Sequence, residues 1–135
     1  MNTKMLMMIL ASGLALAGCE EARSPAEVRQ DVAESRAEGY GDVADARAAA
    51  LKDSVDAETD VTKAVASHNV NEAIGEAREA DQVAAEGAEK VRLAQAEADH
   101  DVAIQKCAAL DGDARKQCRD QANAALEREK DRAGR

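Results

Sequence analysis

The chain has no tryptophan and no phenylalanine, and Tyr40 is its one aromatic residue. Its hydrophobic share of 45% is supplied mostly by alanine. Large apolar side chains provide most of the free energy that offsets chain ordering, so this composition excludes a compact core. Proline occurs once, at Pro25, and Ala, Glu, Gln, Arg and Lys abound, which suits long helix. Basic residues are few: residues 19–112 carry 10 basic and 22 acidic side chains, whereas residues 113–135 carry 7 and 5. An acidic rod lacks the basic footprint that nucleic acid needs and fits an anionic membrane surface poorly. The weakly basic tail reads as a solvated helix face, the alternative being that it folds against the acidic rod. The two histidines, His68 and His100, have no Ser/Asp or Cys partners arranged for catalysis, so no enzyme is read here and no cofactor is expected. At 135 residues the chain is at most one domain.

Long hydrophobic runs are also missing, with one exception. Lys4 is followed by an apolar run from Met5 to Ala17, 13 residues, too short for a membrane-spanning helix of about 20. It has the form of a secretory signal. It ends in Leu16-Ala17-Gly18-Cys19, which resembles the lipobox of bacterial lipoproteins. That resemblance implies cleavage between Gly18 and Cys19, a diacylglycerol thioether on the Cys19 thiol, and acylation, palmitate for example, of the freed amine. The lipid on Cys19 is then the one covalent addition expected. One acyl chain holds a protein marginally, whereas several make anchoring effectively permanent. Glu20, rather than Asp, follows the lipidated position. By resemblance to enterobacterial-type lipoproteins this implies the outer membrane, facing the periplasm.

Residues 1–18 are thus read as signal peptide and 19–24 as a short tether. An Ala-rich acidic helical rod is expected over 25–110, with breaks near 39–41 and 67–71, and a final helix over 113–133. Ser24-Pro25-Ala26-Glu27 has capping-box form. Asp31-Val32-Ala33-Glu34-Ser35-Arg36 recurs eleven residues later as Asp42-Val43-Ala44-Asp45-Ala46-Arg47, and eleven residues make three turns. Gly39 and Gly41 each cost about 1 kcal/mol in helix, so 38–42 is expected to be partly disordered. Asn69 and Glu72 have capping-box spacing. Beyond them Val70, Ala77, Ala84, Val91 and Ala98 recur every seven residues, accompanied by Ile74, Ala88 and Val102. This narrow seam supports either pairing, including with a second copy, or a solvated single helix. Unbroken, 25–110 would extend about 130 Å.

The remaining cysteines stand in CAALDGDARKQC, Cys107 to Cys118. Asp111-Gly112-Asp113 interrupts the helical pattern. Gly112 suits the left-handed position past a helix end and Asp113 suits the next N-cap. The two cysteines are equidistant from the Gly112–Asp113 peptide, so an αα-hairpin turning there sets them level on adjacent helices, with Ala103, Ala122, Ile104 and Leu126 behind them. A signal peptide implies an oxidising compartment, where such a pair forms a disulfide. Zinc needs further ligands at short spacings, and only His100 is near. A redox pair needs Cys-x-x-Cys in a thioredoxin-like context. The reading is a structural disulfide, with no metal.

The stretch from Ala98-Asp99 through Lys106 to Cys118 resembles a C-x-x-L-x-G-x-A-x-x-x-C motif of uncharacterised Ala-rich helical envelope proteins of proteobacteria. The resemblance covers residues 90–125 and implies a periplasmic helical protein without a known activity. The lipidated cysteine followed by a helical rod is also similar in design to the murein lipoprotein, although the chain ends Ala133-Gly134-Arg135 and not in lysine. The expectation is an all-α, elongated or coiled-coil-like rod with a clasped C-terminal hairpin. Its expected role is a helical spacer or scaffold of the envelope, touching peptidoglycan or envelope proteins. The alternatives are a stress-protective chain similar to late-embryogenesis-abundant proteins, which also use eleven-residue repeats, and a small adaptor subunit of an envelope complex.

Overall fold

A computed structural model describes residues 22–133. Three helices occur in this stretch: α1 (Pro25–Ala66), α2 (Val70–Cys107) and α3 (Gly112–Ala133). The start of α1 is fixed by a full capping box, in which Ser24 accepts from the Glu27 amide and Glu27 accepts from the Ser24 amide at 2.9 Å. Pro25, which has no amide hydrogen to leave unpaired, opens the helix. α1 runs 42 residues, about 63 Å by helix rise. It stops at Ser67, and His68 takes the left-handed backbone (φ 57°) that a glycine usually fills. Asn69 then caps α2, accepting from the Glu72 amide at 3.3 Å and donating Nδ2–H to Glu72 Oε2 at 3.0 Å.

The expected break near 67–71 is therefore a sharp reversal at 67–69. It folds the rod back on itself, so α1 and α2 pair along their length instead of extending 130 Å. The expected break at 39–41 and disorder at 38–42 are not found: α1 is continuous helix through them. The reason lies across the seam. Gly39 is buried, and a Cβ placed on it would meet the Ala98 Cβ at 2.5 Å. Gly87 on α2 receives Ala50 of α1 in the same way, at 2.9 Å. Close backbone approach and the packing it allows offset the intrinsic cost of glycine in helix. Gly39 and Ala98 are equally far in sequence from the His68–Asn69 peptide, as are Ala50 and Gly87, so these contacts fix one antiparallel register.

Along α1 the inward positions include Val28, Gly39, Ala50 and Val61, with Val32, Val43 and Ser54 on one side of them and Ser35, Ala46 and Ala57 on the other, all at eleven-residue spacing; next to the turn Ala64 is buried and Val65, eleven after Ser54, is exposed. On α2 they are Glu76, Gly87 and Ala98, with Ala80, Val91 and Val102. The repeat read at Val32 and Val43 is thus the seam, and it continues into α2. The seven-residue reading of α2 holds only at its C-terminal end. Val91, Ala98 and Val102 face α1, whereas Val70, Ala77, Ala84, Ala88 and Ile74 are exposed. A strict heptad drifts about 20° or more per repeat around a helix that turns every 3.6–3.7 residues, so it leaves the seam within a few repeats.

α2 ends at Cys107 and α3 begins at Gly112, whose φ of 48° makes the left-handed turn expected of it. The first backbone bond of α3 runs from the Arg115 amide to the Asp111 carbonyl at 3.2 Å. Asp111 therefore precedes the helix, and Asp113 lies in its first turn rather than at the cap. α1 and α3 each pack on α2, and among the described residues they make no helix–helix contact with one another. The three helices lie side by side with α2 in the middle. No strand occurs among the described residues, and no helix there is long and apolar enough to cross a membrane.

Candidate functional site at the clasped base of the hairpin

The base is where α1 begins, α2 ends and α3 begins. The Arg23 amide donates to the Ala108 carbonyl at 3.0 Å, which ties the chain entering α1 to the residue that ends α2. The Arg23 side chain turns the other way and pairs with Asp31 at 2.6 Å. Cys107 and Cys118 form a disulfide with Cα atoms 5.6 Å apart, within the span a disulfide bridges. The Cys107 side chain is fully buried. Ala122 is buried behind the clasp, and Ala103, Ile104 and Leu126 are half-buried, as expected of the small seam there.

Sequence reading missed three contributors. Arg115 is buried at the turn, and its Nε–H donates to the Leu110 carbonyl at 2.7 Å, satisfying one of the acceptors left open between the helices. Its position four residues after Asp111, with Oδ1 3.8 Å from a guanidinium nitrogen, is the signal that could have found it. His100 is not drawn to the cysteines. Its Nε2 lies 2.9 Å from Asn123 Oδ1 of α3 and its Nδ1 3.1 Å from Asp101 Oδ1, so it joins α2 to α3 about two turns from the clasp's level. Nothing in the spacing marked Asn123. Among the described residues no group of three His, Cys, Asp or Glu side chains is arranged to hold a metal ion. Cys19 and Gly18, the expected lipidation and cleavage positions, lie outside the described residues.

Away from the base, the α1–α2 hairpin has two unlike sides. One cleft between the helices is lined by Asp53, Asp56, Asp60, Glu76, Glu79 and Glu86, with Lys90 among them. Lys52 and Lys63 lean toward this acidic side, each 2.6 Å from an Asp (Asp56 and Asp60), and these hydrogen bonds raise both ammonium pKa values. The groove nearest the tip, on the other side, is lined by Val61, Val65, Val70, Ala73, Ile74 and Ala77. The base can therefore hold three chain segments in fixed relation, and the arms present one acidic side and one apolar side.

Comparison with protein-family models, with curated proteins and with solved structures finds no match to this chain.

Proposed function

We propose that the chain is a lipid-anchored structural or interaction protein of the bacterial envelope, held in the outer membrane through Cys19 and facing the periplasm as a helical spacer or scaffold. The observation that carries this reading is Leu16-Ala17-Gly18-Cys19 at the end of a 13-residue apolar run. Its spacing to the fold supports it. Ser24 is five residues after Cys19, with four residues between them. At 3.3–3.6 Å per residue the hairpin base lies within about 18 Å of the anchored cysteine. The base is also where the disulfide and Arg115 lock the helices together, which suits a protein pulled on from that end. The tip, about 60 Å away by helix rise, is the end that reaches partners such as peptidoglycan or envelope proteins.

Incorporation of labelled palmitate, with membrane fractionation of the parent chain and of Cys19→Ser, tests it. The parent is expected to carry label and sediment with outer membrane, and the variant to lose both. An unlabelled parent found in the cytoplasm overturns the reading.

The eleven-residue repeats favour a second reading, a stress-protective chain that folds on drying or on surfaces. Circular dichroism of the dilute oxidised protein separates the two. A cooperative helical melt supports the scaffold, and a near-random spectrum that becomes helical on desiccation supports protection. The adaptor reading requires a stoichiometric protein partner recovered from crosslinked membranes.

A further inference from the structure

α1 carries a second stripe in the same eleven-residue repeat as its seam, about a third of a turn around the helix. Tyr40 and Leu51 share one row of it, Ala33, Ala44 and Val55 the next, and Ala37, Ala48 and Thr59 the third. Every one of these residues is exposed, with Tyr40 at 74%, Leu51 at 67% and Val55 at 51%. No charged residue interrupts the stripe between Ala33 and Thr59, although α1 is otherwise densely charged. Neither α2 nor α3 covers it, since α3 lies on the far side of α2. Continuous helix through 38–42 is what makes the stripe one surface.

The established seam shows what such a stripe pairs with. There, large residues of one helix stand opposite small residues of the other. Counting outward from the Gly39–Ala98 and Ala50–Gly87 contacts, Val43 stands level with Ala94, Val91 with Ala46 and Val83 with Ser54. The outer stripe is complementary to itself by the same rule. An antiparallel copy placed with its two-fold axis at Ala44 sets Tyr40 level with Ala48, Leu51 with Ala37 and Val55 with Ala33 of the second copy, and each contact occurs twice. That is the self-matching a two-fold interface requires. Arg29 comes level with Thr59 of the second copy, beside its Glu58. A bilayer is the poorer occupant, because most of the stripe is alanine, which offers lipid little apolar area but lets helices approach closely.

We infer that this chain forms a two-fold antiparallel dimer through the outer face of α1, centred on Ala44. The two α1 N-termini then lie at opposite ends of the pair, about 57 Å apart by helix rise. If the anchoring proposed above holds, with both lipid-bearing Cys19 residues in one membrane, the pair lies along it, so this dimer and the upright spacer are alternative arrangements of the anchored chain; the pairing itself does not depend on that lipid.

Oxidative crosslinking of the full chain in membranes tests the register, with single cysteines at Ala44, Leu51 or, on the acidic side, Asp45. Ala44→Cys is expected to give a covalent dimer, and Leu51→Cys alone is not, because the two copies of Leu51 lie about 21 Å apart along the axis. Mixing Leu51→Cys with Ala37→Cys is expected to restore the crosslink. Efficient self-crosslinking of Leu51→Cys shows a parallel pair and overturns the antiparallel register. A yield at Ala44 no higher than at Asp45 overturns the dimer. Protection of Leu51→Cys by lipid in a chain that stays monomeric also overturns it, and points to the bilayer. Mass in solution is the second measurement. The detergent-extracted parent is expected at twice the monomer mass, and Ala44→Glu at the monomer mass with unchanged helix content, since Ala44 is exposed in the single chain. Tyr40, having no other aromatic to obscure it, should be shielded from acrylamide quenching in the parent and accessible in Ala44→Glu.

Discussion

Gly39 and Gly41 are two residues apart and lie on different sides of α1, so alanine has opposite effects at the two positions. At Gly39 the new Cβ meets the Ala98 Cβ at 2.5 Å, and at Gly87 it meets the Ala50 Cβ at 2.9 Å. The opposing atoms belong to short side chains on a helix backbone, so the helices must part. At Gly41 and Gly75 nothing lies within 4 Å. Gly39→Ala and Gly87→Ala are expected to lose about 1–3 kcal/mol net, even after the gain in helix propensity. Gly41→Ala and Gly75→Ala are expected to gain about 0.5–1 kcal/mol. Denaturant melts followed by circular dichroism measure all four. Adding Ala98→Gly to Gly39→Ala should recover most of the loss, and a failure to recover it would show the register to be wrong. From the sequence Gly39 reads as a weak point because its cost in helix is a local property. The partner that offsets the cost is 59 positions away, and no local pattern names it. The capping residues Ser24 and Glu27 were legible for the opposite reason: their partners are their own neighbours. The hydrogen bonds from Ser24 lower the Glu27 pKa. A carboxylate with a depressed pKa adds stability above its unfolded value and loses it as pH falls through the folded one. The helix start is therefore expected to loosen in acid, and Glu27→Gln to remove that part of the acid sensitivity.

At the level of elements, α3 depends on its clasp. It packs on α2 alone, through a small seam that is mainly alanine with Ile104 and Leu126. Cys107→Ser with Cys118→Ser removes a constraint of roughly 3 kcal/mol. Amides of α3 are expected to exchange roughly 100-fold faster, while those of the α1–α2 hairpin change little. If exchange accelerates equally in all three helices, the hairpin and α3 unfold as one unit and the clasp is not local. The turn at the other end offers the reverse experiment. His68 holds a left-handed conformation that costs a side-chain-bearing residue about 1 kcal/mol or more. His68→Gly is expected to raise the melting temperature by a few degrees, provided the freedom glycine adds to the unfolded chain does not cancel the gain; His68→Asn avoids that loss and should do the same. The clasp was readable because glycine and symmetric cysteines announce a turn. The tip turn was readable only as a weakness near 67–71, since nothing marks His68 as the residue that takes the left-handed position. The seven-residue reading of α2 holds only toward its C-terminal end, although valines and alanines seven apart continue to Val70. Only the three-dimensional register shows that eleven is the spacing that stays on the seam.

For the whole molecule, the eleven-residue repeat makes the hairpin modular in length. Removing eleven residues from each arm, equidistant from the turn, takes out three turns per helix and leaves every remaining side chain on its former face. Deleting 50–60 together with 77–87 does this without touching the part of α2 that α3 covers, and it removes the Ala50–Gly87 contact as a pair. The shortened chain is expected to keep its helix content and its cooperative melt and, compared in the Ala44→Glu background where both are monomers, to lose about 16 Å in length by small-angle scattering. Deleting nine residues from each arm, 52–60 and 77–85, removes a similar mass but turns the tip segments nearly half a turn. Thr62 and Lys63 of α1 and Asn71 of α2 then turn toward the seam in place of Val61, Ala64 and Ala73, and the hairpin is expected to melt at a lower temperature. Equal melts for the two deletions would mean that the arms do not pair by face and that the rod is a solvated helix pair held by its ends. The same two variants bear on the spacer reading. A photoreactive group at Val70, exposed beside the tip, should capture an envelope component in the parent. The eleven-residue deletion folds but falls short by 16 Å, so it should lose that capture if the tip must reach across a fixed gap. Undiminished capture would mean that the tip meets its partner without spanning any set distance, and the spacer reading would give way to the adaptor.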